Sequence, residues 1–170
     1  MRPHDLVLSA LFCALTVVGA WISIPIPGGA VTLQLFFVLL SAFLLPPKSA
    51  LFAIASYVLL GLCGAPVFVG FVGGLSAVAS PTFGFLIGMV LAAPTISALY
   101  RRPKNCKGAA LFSGIIGLLL LYLCGGLYAS LLIKNAWSVF LTYLPVDLIK
   151  LVAAAALAKP LQSRLSFLKK

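Results

Sequence analysis

From residue 6 to residue 47, and again from 49 to 100, the chain carries no charged side chain. A domain folded in water needs a charged surface, and about a quarter of a soluble protein's residues are Asp, Glu, Lys or Arg. Here charged residues make up 8% of the 170 and hydrophobic ones 63%, with a mean hydropathy of +1.21. Such a chain belongs in a lipid bilayer, where every backbone N–H and C=O must find its partner within the protein. Helices and closed barrels satisfy that condition. The apolar runs lack the polar–apolar alternation of barrel strands, so the chain reads as an all-α, polytopic membrane protein.

Interruptions by Pro, Gly and Lys/Arg divide the sequence into six spans, near 5–24, 32–46, 48–63, 81–100, 108–133 and 138–159, within one transmembrane domain covering 1–170. About 20 residues cross a bilayer. The second and third spans fall short of that, so they are expected to be tilted, broken or only partly in contact with lipid. Arg2 before an apolar run, with Val18-Gly19-Ala20 behind it, has the look of a secretory leader. A leader's apolar core is only about 7–15 residues long, and this run is longer. It is kept as a span.

The net charge of +10 raises the question of nucleic acid, but the distribution answers it. With the N-terminus in the cytoplasm and alternating crossings, the inner side receives Arg2, Lys48, Arg101, Arg102, Lys104, Lys107, Lys159, Arg164, Lys169 and Lys170. The outer side receives Lys134. That is the positive-inside pattern. It predicts both termini in the cytoplasm and no nucleic-acid partner. Cys13, Cys63, Cys106 and Cys124 form no CxxC pair and His4 is the only histidine, so no metal site is expected. The cysteines read as small buried apolar residues.

Two outer loops contain no charge at all: PIPGGAV at 25–31 and GAPVFVGFVGGLSAVAS at 64–80. Irregular backbone at membrane depth is tolerated only where it packs on protein or lines a cavity. Residues 64–80 are therefore expected to fold as a lid over the outer mouth of the bundle, with Gly70, Gly73 and Gly74 permitting sharp turns and close approach.

Only two acids occur in the chain, and one of them, Asp147, lies in the apolar run LPVDLIK with Lys150 three positions later. That spacing places both on one helix face. For a span beginning near Ser138, Asp147 would lie roughly 14 Å along it at about 1.5 Å per residue. A charge at such depth costs about 2.5–3.5 kcal/mol on insertion scales, and such residues normally face the bundle interior and act on a ligand or ion. The competing account is an ion pair that only locks this helix to its neighbours. Stability alone is a poor reason for one, because buried pairs are often replaceable by apolar residues without loss. Pro145 is expected either to free backbone carbonyls beside the pair or simply to kink the helix.

Other polar groups are fewer and weaker. Gln34 begins the second span, where Thr32 is a candidate helix cap, and it serves either a ligand or a neighbouring helix. Trp21 and Tyr57 are more often interface anchors than ligand contacts. Ser80 and Pro81 mark a helix start. Ala10 and Ala14 give a small-xxx-small spacing that lets another helix come close. Enzyme readings fail on inventory. The chain has no GxxxxGK[ST] loop. Ser76 in GGLSA has no histidine on its side of the membrane. A single acid within the membrane makes a carboxylate dyad impossible.

IPIPGGAVTLQ, YVLLGLCGAPVFVGFVGG, SPTFGFLIG and PVDLIK, in this order and spacing, resemble the BioY family, the biotin-capturing S components of energy-coupling factor transporters. The resemblance runs from about residue 5 to 160. It implies a six-helix bundle that holds biotin near the outer face under the 64–80 loop, with biotin as substrate and no cofactor. It also implies docking onto a transmembrane coupling subunit and a pair of cytoplasmic ATPases. Matched by position, the family's acid and lysine fall on Asp147 and Lys150, its glutamine on Gln34, and the docking face of its first helix on Ala10 and Ala14. Asp147 would accept a ureido N–H, with Gln34 assisting. Lys150 would donate to the ureido carbonyl or else balance Asp147 or the tail carboxylate. Phe68 and Phe71 would cover the ring and chain, and Thr32, Tyr57, Gly73 and Gly74 complete the expected site. The family often has Tyr where this chain has Phe85, so no hydroxyl contact is assigned there. Nor does Leu62 or Cys63 offer the hydrogen-bonding side chain expected nearby. A stand-alone biotin facilitator is the alternative, and a scaffold or receptor that transports nothing is the third account.

Overall fold

The computed structural model describes residues 3–26, 29–102, 108–134 and 143–167. Among them run six α-helices: α1 (Pro3–Trp21), α2 (Gln34–Leu44), α3 (Pro47–Leu62), α4 (Phe83–Arg101), α5 (Ala109–Ser130) and α6 (Leu144–Phe167). Between α1 and α2 lies a short hairpin of β1 (Ser23–Ile26) and β2 (Gly29–Thr32). Arg2, Lys104, Cys106, Lys107, Ser138, Lys169 and Lys170 lie outside the described residues.

The centre of the bundle is its shortest helix. In α2, Gln34, Leu35 and every residue from Val38 to Leu44 are buried. A helix apolar on all sides is one surrounded by protein, and α2 packs against α1, α3, α4 and α6. Its 11 residues span about 16 Å at 1.5 Å per residue, half of a hydrocarbon core of about 30 Å. The lipid never sees most of it, so it has no need to reach across. By length and composition α1, α4 and α5 are each able to cross a membrane.

The α4–α5 contact is made close by glycine. A Cβ placed on Gly88 would lie 3.0 Å from the Leu121 backbone, and one on Gly125 would lie 2.6 Å from the Phe85 ring. Without a hydrophobic driving force between helices in lipid, such small-residue packing supplies the association.

At one end of the bundle lie five of the seven described Lys and Arg residues. Arg101 Nη2 donates to Leu44 O at 3.0 Å, and Ser97 Oγ donates to Leu45 O at 2.6 Å. These bonds serve carbonyls that the C-terminus of α2 leaves without intrahelical partners. Ser9 Oγ reaches Ser49 O at 3.0 Å and Tyr100 approaches Gln162 at 3.5 Å. Lys48, Arg101, Arg102, Lys159 and Arg164 therefore share this end, and Lys134 follows the opposite end of α5.

The opposite end is roofed by folded backbone. The described residues of the 25–31 stretch, expected only as a loop, lie in both strands of an antiparallel pair that sets Ser23 against Thr32 and Ile24 against Val31. Thr32 is thus a strand residue; α2 starts without a side-chain cap, at Leu33. The 64–80 segment folds over the same end through two single-turn helical pieces, Val69–Phe71 and Leu75–Ala79. Gly70 and Gly74 have φ of +73° and +87°, a backbone conformation open to glycine at little cost. Gly74 N–H donates to Gly61 O at 2.6 Å, and Phe68 N–H to Val72 O at 3.0 Å. Side chains pin the segment down. Trp21 Nε1 donates to Pro66 O at 3.0 Å, Tyr57 Oη to Val67 O at 3.3 Å, and Tyr128 Oη to Val78 O.

Three local expectations are corrected. Helix α4 starts at Phe83 with Thr82 before it, because Ser80 turns the chain by accepting from Phe83 N–H at 3.0 Å. Pro145 stands at the start of α6 and not within a span, where its missing N–H costs no hydrogen bond. Cys63 is exposed while Cys13 is buried and Cys124 lies between.

Gly88→Leu is expected to wedge α4 from α5, an overpacking cost of about 1–3 kcal/mol, read as a melting temperature several degrees lower for the purified protein. Tyr57→Phe removes one latch bond worth about 0.5–1.5 kcal/mol net. Amide hydrogen exchange at Phe68 and Gly74 should then quicken with little change in global stability. Unchanged protection there shows that the hydroxyl does not hold the roof.

Candidate functional site

Beneath the roof lies a cavity of about 410 Å³, within the range of about 300–1,000 Å³ usual for small-molecule sites. Its walls are mainly apolar. Leu35 from α2, Phe85, Leu86 and Met89 from α4, and Leu121 from α5 line the interior. Phe68, Val69, Val72 and Ala77 of the lid face it from above, with Ala30, Val31 and Thr32 of β2 beside them.

The charged pair lines this cavity. Lys150 Nζ stands 2.7 Å from Asp147 Oδ1. Tyr122 Oη, from α5, donates to Asp147 Oδ2 at 2.8 Å. Asp147 is 8% exposed. Its carboxylate is tolerated there for three reasons: the lysine, the phenol, and its position in the first turn of α6, where the helix dipole favours negative charge. The described helix begins at Leu144, so Asp147 lies in its first turn. Ser138, from which a depth of roughly 14 Å was expected, lies outside the described residues.

Gln34 is 2% exposed and borders the same cavity. Its Nε2 lies 3.3 Å from Met89 Sδ. A thioether is a weak acceptor, so this amide is held loosely and keeps much of its hydrogen-bonding capacity. Tyr57 and Phe68 also line the cavity, their rings edge to face with centroids 5.6 Å apart.

Of the expected site, then, Asp147, Lys150, Gln34, Thr32, Tyr57 and Phe68 come together around one space. Phe71, Gly73 and Gly74 do not line it. Phe71 is 63% exposed and packs on Trp21 with ring centroids 5.2 Å apart. It turns outward because its neighbour Gly70 reverses the chain and Phe71 itself has φ +60°. Gly73 admits the Ala65 carbonyl at a distance no Cβ would allow, and Gly74 makes the turn below it. Both shape the roof without facing the space. Ala10 and Ala14 are exposed on α1, remote from the cavity lining.

Sequence reasoning missed Tyr122, Tyr143, Met89, Ser80 and Thr82, all of which line the cavity. Tyr122 had a signal: it is the one hydroxyl within the run GIIGLLLLYLCGGL. Phe85, without a hydroxyl, lines the space with its ring and stands perpendicular to Tyr122 at 5.7 Å and 88°. Leu62 and Cys63 are not part of the lining.

Known proteins share this architecture. The chain matches the model of the BioY family over residues 1–167. It is 44% identical over 159 residues to the biotin transporter BioY of Thermotoga maritima, spanning 91% of this chain and 94% of that one. A probable biotin transporter BioY of Pyrococcus horikoshii is 36% identical over 165 residues, spanning 95% and 98%. A crystal structure of the S-component for biotin from an ECF-type ABC transporter superposes with a TM-score of 0.85 at 22% identity, over 94% of this chain and 91% of that one. A match over nearly the whole sequence, with a shared helical architecture, means that this chain is a multi-pass membrane protein and belongs to the BioY family.

Proposed function

We propose that the protein captures biotin at the outer face of the bacterial cytoplasmic membrane and mediates its uptake, as a binding and transport subunit and not an enzyme. The observation that carries this reading is the Asp147–Lys150 pair set in the wall of a roofed, largely apolar cavity. Biotin has a ureido head with two N–H donors and one carbonyl, an apolar thioether ring, and an aliphatic tail ending in a carboxylate. A carboxylate and an ammonium side by side match the donors and the acceptor of that head. The aromatic and aliphatic walls match the ring and tail.

In this proposal Asp147 accepts a ureido N–H, Lys150 donates to the ureido carbonyl, and Gln34 turns from Met89 to the head. Phe68 and Tyr57 close over the ring, with Thr32 at the rim. Charge-assisted bonds away from water are among the stronger ones available. The chain forms one domain of six crossings with both termini in the cytoplasm. The gathering of Lys48, Arg101, Arg102, Lys159 and Arg164 at one end of the bundle supports that orientation under the positive-inside rule.

Uptake is energised in trans by a coupling subunit and a pair of ATPases. The S-component architecture supports this, and the exposed Ala10 and Ala14 give α1 a face on which a partner helix can pack closely. That face shares no residue with the cavity lining, so binding and transport are separable by mutation.

Asp147→Asn and Lys150→Ala should each weaken biotin binding to the purified protein by about 1.5–3 kcal/mol, roughly 10- to 100-fold in Kd. Wild-type affinity in both removes the pair from the site. Ala10→Trp and Ala14→Trp are expected to keep the biotin Kd and to lose ATP-dependent uptake in cells expressing the partner subunits. Uptake that proceeds undiminished without ATPase partners would instead establish a stand-alone facilitator.

A further inference from the structure

The cavity contains a polar group that the biotin reading does not use. Asp147 has two carboxylate oxygens, and each is engaged by a different donor on a different element. Oδ1 takes the ammonium of Lys150, one turn along α6, at 2.7 Å. Oδ2 takes the phenol of Tyr122, on α5, at 2.8 Å. An ionised carboxylate only accepts, so the phenol must donate.

The two donors differ in stiffness. Lys150 is a flexible stem on the same helix as its partner and swings with it. Tyr122 is 8% exposed and its ring stands perpendicular to Phe85. Phe85 in turn fits against Gly125, where a Cβ would lie 2.6 Å from the ring. Gly125, Phe85 and Tyr122 thus form a packed stack that holds the phenolic oxygen at a set place in the wall. From there it fixes the rotation of the Asp147 carboxylate. Each carboxylate oxygen retains a further lone pair, so the group can still accept from a ligand.

We propose that Tyr122 is a positioning residue of the binding site: it holds Asp147 at the angle from which the carboxylate accepts a ureido N–H. The inference rests on the biotin reading above and deepens it. Without the phenol, the carboxylate loses its stiff restraint and keeps the flexible one from Lys150, and the ordering lost from the free protein is charged to binding. Preorganisation of this kind raises affinity by reducing what a ligand must order.

A double-mutant cycle tests it, since coupled residues are non-additive while independent ones add. Biotin Kd is measured in lipid nanodiscs, up to millimolar biotin, for wild type, Tyr122→Phe, Asp147→Ala, which leaves the phenol no side-chain acceptor at 147, and the double variant. Tyr122→Phe alone is expected to weaken binding about tenfold, the equivalent of 1.4 kcal/mol, and to change nothing further once Asp147 is Ala. The same factor in both backgrounds, or no effect in wild type, overturns the proposal. Tyr122→Gln and Tyr122→Leu make the same decision where Phe fails to fold or Asp147→Ala binds too weakly to measure. Tighter binding by the Gln variant, which keeps a donor, supports the positioning role, and equal binding overturns it. Should Asp147→Ala itself bind as wild type does, it is the biotin site that falls.

Discussion

An ion pair bordering a space walled by hydrocarbon is the condition around which this bundle is arranged. Burying two charges is costly unless geometry and further hydrogen bonds compensate. Here they do so by division of labour. The lysine on the same helix face neutralises the acid, the phenol of Tyr122 reaches it from another helix, and the start of α6 supplies a favourable dipole. None of these is sufficient alone. Together they hold a carboxylate in a wall built largely from apolar and aromatic side chains.

The rest of the molecule serves that arrangement. The roof covers one side of this polar site with backbone that has few polar side chains of its own. The hairpin pairs its own N–H and C=O groups, while the lid ties Gly74 to Gly61 and rests on Trp21, Tyr57 and Tyr128. These anchors come from α1, α3 and α5. The roof is therefore fastened to several helices and not merely hinged at its two ends. At the far end Arg101 and Ser97 bind the last carbonyls of the central helix, whose other end presents Gln34 to the cavity.

Much of this was legible in the residues. Charge exclusion from 6 to 47 and 49 to 100 led directly to helices in a bilayer, and the placement of an acid and a base at i and i+3 marked the site. Absence of charge in 64–80 marked a lid. Phe71 was misjudged for a simple reason: membership of an apolar lid does not tell which way a side chain faces when a positive-φ glycine precedes it. Tyr122 was overlooked because its importance depends on a partner 25 residues away, on a helix whose rotation no local pattern specifies. Pro145 was expected either to free carbonyls beside the pair or to kink the helix, because the start of its helix could not be located from hydropathy alone.

What the sequence determined by itself was the solvent: with so few charges, the chain had to pair its backbone internally and bury its few polar groups. It determined as well that Asp147 and Lys150 share a face, since a helix brings i and i+3 together wherever it is placed. Only the tertiary structure decided that Tyr122, Gln34 and the lid would meet that pair around one cavity. Such meetings depend on how far apart helices stand and how each is turned about its axis. Those quantities are set by contacts such as Gly88 on Leu121 and Gly125 on Phe85, between residues distant in the chain.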